Sequence, residues 1–246
     1  MEAAIQISDL SFRYQAQEPV LDQLNLTIEA GERFGLFGPN GAGKTTLMSL
    51  MTGLLPYKTG SVKLLGYELR GRDRKINSLF GLVPQDFSFY PELSTEENLQ
   101  FFGAWAGLTK KEIREKTNEL LSVLSLEKVR TRAVGKFSGG MKRRVNLAIA
   151  VMHDPRVLFL DEPTVGVDVQ TRHAIIHYLK QLNQHGTTLI YTSHQLHEAE
   201  DLCTRVAMID EGKIIINDTL TNLLHQHKQD GLEGLFLELT GRAYRS

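Results

Sequence analysis

Cysteine is almost missing: Cys203 is the only one in 246 residues. A lone thiol can neither close an intramolecular disulfide nor build a thiolate metal cage. Long apolar runs are missing too. The longest strictly apolar stretch, residues 147–152, is far shorter than the roughly 20 residues that cross a bilayer. The opening MEAAIQISDL holds acids and no basic segment, which reads against a secretory signal. Net charge is nearly absent, since 28 Lys and Arg face 29 Asp and Glu. A broad basic field for nucleic acid is therefore excluded, although a local basic face is not. The expectation is a soluble chain in a reducing compartment, long enough to bury a proper core.

What is present is an alternation of short apolar stretches and helical stripes, without internal repeats or low-complexity tracts. Strands are expected over residues 4–10, 24–28, 33–37, 79–83, 156–160, 187–191 and 205–209. Leu47, Leu50, Met51 and Leu54 recur at helical spacing, as do Val145, Ala148, Ile149 and Met152. Ala174, Ile175, Tyr178, Leu179 and Leu182 make a third stripe. This order predicts an α/β fold with a mostly parallel sheet. Residues 86–151 break it, reading as a helical subdomain inserted between two strands, with capping boxes at Ser94/Glu97 and Thr109/Glu112. The main domain is placed at 1–217. Residues 218–246, with the apolar patch Leu232, Leu235, Phe236 and Leu237, read as a small C-terminal appendage.

Between an apolar strand and a helix stand Gly38, Pro39, Asn40, Gly41, Ala42, Gly43, Lys44 and Thr45, followed by Thr46. That is the phosphate-loop pattern G-x-x-x-x-G-K-[ST] in its required setting. Glycines let backbone N–H groups close around phosphate oxygens, and the helix N-terminus adds partial positive charge. Lys44 is expected on the β- and γ-phosphates of ATP, and the Thr45 hydroxyl on Mg²⁺. Downstream, four apolar residues run into Asp161 and Glu162. A buried strand ending in acid delivers Asp161 to the carboxyl edge of the sheet, where it suits Mg²⁺. Glu162 is the candidate base for the attacking water, the alternative being a solvated pair at a strand end.

The order of motifs resembles the ATP-binding cassette, the nucleotide-binding subunit of ABC transporters. After the phosphate loop comes Gln85 in LVPQD, similar to the family's Q-loop. FSGGMKRR resembles its LSGGQ signature, with Phe137 for leucine and Met141 for glutamine while Ser138, Gly139 and Gly140 are kept. TVGVD resembles the D-loop and ends in Asp168, and His194 in TSHQLHEAE matches the switch histidine. The resemblance spans nearly the whole chain from Ile5 to about Asn217 and implies a P-loop NTPase core carrying an antiparallel β subdomain. It also implies that Tyr14 stacks on adenine, with packing inside its strand as the alternative, and that Gln85 positions Mg²⁺ or water. His194 would contact the γ-phosphate.

Ser138, Gly139 and Gly140 stand at a second helix start, a second anion-binding device in one chain. In the family, two cassettes face head to tail and each signature closes over the ATP of the other. The resemblance thus implies a dimer, of two copies of this chain in the simplest case, and no nucleic-acid partner. Transport would need a separate polytopic membrane permease, holding the chain peripherally at the cytoplasmic side of the membrane. Phe87, Phe89, Tyr90, Phe101, Phe102 and Trp105 are candidates for the docking surface, Phe101 and Trp105 having core packing as the alternative. FSGGMKRR is most like exporter cassettes. The competing readings are a cassette ATPase of translation or DNA repair and a regulator that binds ATP without hydrolysing it. The double cassettes, coiled coils and zinc insertions of the former are missing here, and the retained Glu162, Asp161 and His194 speak against the latter.

Overall fold

The computed structural model describes residues 2–15, 18–70, 74–193 and 195–241. It opens with β1 (Ala3–Phe12), β2 (Leu21–Glu29), β3 (Arg33–Phe37) and α1 (Lys44–Met51). Next come β4 (Thr59–Leu64), β5 (Tyr67–Glu68), α2 (Arg74–Asn77) and β6 (Phe80–Val83). The helices α3 (Thr95–Trp105), α4 (Lys110–Val123) and α5 (Gly139–Ala150) precede β7 (Val157–Asp161). Then follow α6 (Val169–Gln184), β8 (Thr188–Thr192), α7 (Leu196–Leu202) and β9 (Arg205–Asp210). β10 (Lys213–Thr219), α8 (Leu220–His227) and α9 (Leu232–Thr240) complete the described chain.

Strand patterning divides the sheets. β2 alternates buried Leu24, Leu26 and Ile28 with exposed Gln23, Asn25 and Thr27, as a sheet with one wet face requires. It belongs to an antiparallel sheet of order β2-β1-β4-β5. β7 and β8 are instead buried at every position, the continuous runs of a strand covered on both faces. They lie in the second sheet, β10-β9-β3-β8-β7-β6, parallel apart from β10. Leu158, Leu160, Leu189 and Tyr191 face a core shared with the inserted helices. Val157, Phe159 and Ile190 face another, shared with the antiparallel sheet and α1.

The inserted region is helical as expected. Ser94 accepts from the Glu97 N–H while the Glu97 carboxylate accepts from the Ser94 N–H, and Thr109 with Glu112 repeats this for α4. Losing such a cap costs about 1 kcal/mol. The strands expected from sequence all form, with ends shifted by a few residues. β4, β5 and β10 were not expected. β10 runs through position 218 and Thr219 caps α8, while Leu223, Leu232, Leu235 and Phe236 are buried in the core beneath the inserted helices. Leu237 alone of the C-terminal apolar patch is exposed.

A candidate nucleotide site at the carboxyl edge of the parallel sheet

β3 lies between β9 and β8, and Asp161 at the end of β7 is in register with Thr192 at the end of β8. The turn from β3 into α1 and the two acids of β7 therefore meet at one sheet edge. That turn needs glycine. Gly38 has φ 155° and a Cβ there would fall 2.0 Å from the Ile209 carbonyl oxygen. Gly43, at φ 106°, precedes α1 with no side chain capping the helix and no acid in its first turn. The first N–H groups of α1 are thus left for an anion.

Lys44 folds over its own loop, donating from Nζ to the carbonyls of Gly38 at 2.7 Å and Pro39 at 3.0 Å. Burial pushes its ammonium below the ordinary lysine range, and the charges of Glu162 and Asp161 oppose that shift. Asn40, Gly41 and Thr45 are exposed, Ala42 and Thr46 buried. The Tyr14 hydroxyl lies 3.2 Å from Thr46 Oγ1, which brings the ring beside the start of α1. Tyr14 stands two residues past the end of β1 and is 40% exposed, so it is not packed within a strand and much of its ring is open.

The acids are held differently. Asp161 is buried and accepts from the Thr192 hydroxyl at 2.6 Å. Glu162 follows with φ 51°, a left-handed conformation that costs about 1 kcal/mol or more outside glycine. Its N–H donates to the Thr192 carbonyl at 3.1 Å, and Gln85 Nε2 donates to its Oε2 at 3.3 Å. Among the described residues no three His, Cys, Asp or Glu cluster as a metal cage. One carboxylate and one exposed hydroxyl, beside a loop shaped for phosphate, suit a hard cation that completes its shell with phosphate and water. The donor set fits Mg²⁺ with ATP.

Ser138, Gly139 and Gly140 assemble elsewhere, with Asp168. Ser138 caps α5, accepting from the Met141 N–H at 3.3 Å, and both Ser138 and Gly139 are exposed. A Cβ on Gly140 would stand 3.4 Å from Thr171 and 3.6 Å from Asp168 Oδ2. Asp168 caps α6, and the Thr171 hydroxyl and amide hold its carboxyl below the usual range. His194, matched to the switch histidine, lies outside the described residues.

Three features escaped the sequence. Arg143 on α5 is buried and donates to the Gln85 carbonyl at 2.6 Å. Burial pushes its pKa down, opposed by the charges of Glu162, Asp86 and Asp161. Thr192 pins both acids. Buried Glu198 accepts from the Thr164 and Tyr191 hydroxyls, the latter at 2.8 Å, with Arg172 Nε 2.7 Å away as an ion pair rather than an aligned hydrogen bond. The helical stripe legible in the sequence begins at Val145, so nothing in it marked Arg143. Among the aromatics, Phe87, Tyr90, Phe101 and Trp105 are exposed, Trp105 at 71%. Phe89 packs on the core.

The chain is similar to known proteins over most of its length. The sequence profile of the family described as ABC transporter matches residues 21–165. The linearmycin resistance ATP-binding protein LnrL of Bacillus subtilis (strain 168) is 42% identical over 207 residues, 84% of this chain and 67% of that protein. The Nod factor export ATP-binding protein I of Sinorhizobium fredii is 41% identical over 215 residues, 87% of this chain and 62% of that protein. The chain thus spans about two thirds of the length of these relatives. A solved ATP-binding subunit of an ABC transporter superposes with TM-score 0.89 at 29% identity, covering 96% of this chain and 99% of that one. A dimeric post-hydrolysis ATP-binding cassette bound to ADP and Pi gives 0.80 at 26% identity, covering 88% and 98%. Sequence over most of the chain and backbone over nearly all of it lead to one assignment: this chain belongs to the ABC transporter family, as an ATP-binding and ATP-hydrolysing cassette.

Proposed function

We propose that two copies of this chain pair head to tail and convert ATP hydrolysis into movement of a separate membrane permease, in the direction of export. The loop N–H groups and Lys44 hold the β- and γ-phosphates, and Tyr14 stacks against the adenine. Mg²⁺, held by Thr45 and Asp161 with Gln85 nearby, would compensate phosphate charge as it develops. Glu162 accepts a proton from the attacking water, with Gln85 orienting the carboxylate and His194 reaching toward the γ-phosphate. Phosphoryl transfer asks little covalent chemistry of the protein, so these groups contribute position and charge.

Ser138, Gly139, Gly140 and Asp168 complete the site of the other copy. Contacts made only in the closed pair, and only to a triphosphate, are what drive closure. The single observation that carries this reading is the exposed start of α5, free of acids in its first turn and set beside Asp168. A second phosphate grip in a chain that already has one calls for a second nucleotide. Exposed Phe87 and Tyr90, between β6 and α3, and Phe101 and Trp105 on α3 offer the permease apolar surface. The chain would sit peripherally on the cytoplasmic face beside that permease; among the described residues no helix is long and apolar enough to cross a membrane. Relatives named for resistance and export support the direction.

Ser138→Arg tests the shared site. ATP binding by the isolated chain, measured at equilibrium, stays near wild type while steady-state turnover is lost. Loss of binding by the monomer would show that the signature serves its own nucleotide, and the pairing would be wrong.

A further inference from the structure

Past its exposed start, α5 carries two buried polar side chains that the helix does not need for its own stability, Arg143 and Asn146. Both reach the segment after β6. Arg143 Nη1 donates to the Gln85 carbonyl at 2.6 Å and reaches that of Pro84 at 3.4 Å. Asn146 Oδ1 accepts from the Ser88 N–H at 3.0 Å. The Phe87 ring lies under the Arg143 guanidinium, its centroid 4.8 Å away. Residues 84–88 are thereby clamped at both ends to the helix that begins with the signature. From its other side, the same segment extends the Gln85 side chain to Glu162, 3.3 Å from Nε2 to Oε2.

Desolvating a guanidinium is expensive, and an apolar side chain of similar volume often packs at lower cost. The charge is nevertheless spent on two main-chain carbonyls, one of them that of Gln85. Gly140 and Arg143 are three residues apart, on one face of a rigid helix. Whatever displaces or fixes the start of α5 therefore displaces or fixes the Gln85 backbone.

We propose that Arg143 is a positioning residue that couples the two ATP sites of the pair. Phosphate seated by the other copy against Ser138, Gly139 and Gly140 fixes α5, Arg143 passes that restraint to Gln85, and Gln85 sets the Glu162 carboxylate of this chain's own site. The assignment rests on the roles proposed above for Gln85 and Glu162.

The test is a double-mutant cycle on the full chain with Arg143→Met and Gln85→Ala, reading equilibrium ATP binding and steady-state hydrolysis. Arg143→Met keeps ATP binding by the monomer within roughly twofold of wild type and lowers kcat about tenfold with KM little changed. Its Hill coefficient for ATP falls toward one. The double variant is no slower than Gln85→Ala alone, because Arg143 acts only through Gln85. A side chain that merely supported the fold would give defects that multiply. Arg143→Lys keeps charge and stem without the reach to both carbonyls, and shows the same dependence on Gln85 if the methionine variant does not fold. Multiplying defects, or a Hill coefficient equal to wild type, would overturn the coupling. A wild-type rate for Gln85→Ala would sink the reading of Gln85 itself, and the coupling with it.

Discussion

Two helix starts in this molecule offer backbone N–H groups to an anion, and they are built in opposite ways. α1 begins after Gly43 in a left-handed conformation, with no side-chain cap and with the Lys44 ammonium folded over the loop. α5 begins after Ser138 in an extended conformation, and the serine hydroxyl already accepts from Met141. The first start is left unsatisfied and supplied with its own cation, as a site that takes phosphate unaided requires. The second has one N–H, that of Met141, already taken by its own serine, and it is exposed. Its contribution is conditional, and a conditional contact is what a nucleotide-driven closure requires.

The widest separation between the two is expected from Glu162→Gln. The amide cannot take a proton from water, and losing a positioned base lowers turnover by about a thousandfold. ATP binding at α1 persists and the pair stays closed, which sedimentation in ATP would register as accumulated dimer. Turnover near wild type would assign the base elsewhere. A smaller effect in the opposite place is expected from Lys44→Met. Among the described residues its Nζ donates only to carbonyls of its own loop, so the fold survives. Monomer affinity for ATP falls about a hundredfold by equilibrium titration, the value of one charge-assisted phosphate contact in a partly dehydrated site. Affinity unchanged would erase the contrast between the two starts.

Legibility in the sequence follows the reach of each interaction. The phosphate loop, the strand ending in Asp161 and the capping boxes are local patterns, and each formed where its residues stand. β4 escaped because TGSVKL has few apolar residues, and β10 because its alternating half-exposed isoleucines follow a tight turn as a single apolar triplet. The buried C-terminal residues Leu232, Leu235 and Phe236 were visible as a patch, but their partners on the core come from remote parts of the chain. Arg143 and Glu198 were hidden for a stronger reason. A charged residue in a helix is most often solvated, so composition argues for exposure. Only the fold brings the Gln85 carbonyl to the one and the hydroxyls of Thr164 and Tyr191 to the other.

The sharpest comparison is between the glycines of the two starts. An alanine at position 43 must keep φ near 106° and place its Cβ 2.8 Å from a Leu21 methyl. Left-handed strain and crowding together cost about 2 kcal/mol of stability, and a distorted turn weakens ATP binding as well. Position 139 lies inside α5 with ordinary helical backbone, and a Cβ there would meet only the Gly166 carbonyl oxygen at 3.5 Å, a normal contact. Gly139→Ala therefore leaves thermal stability and monomer ATP binding unchanged, or raises stability slightly through helix propensity. Its cost falls on the pair, because the methyl stands on the exposed surface that another copy's phosphate must approach. Melting curves and equilibrium binding on the two variants separate the cases. Equal destabilisation would mean that both glycines serve the fold, whereas the asymmetry expected here assigns Gly43 to the chain itself and Gly139 to its neighbour.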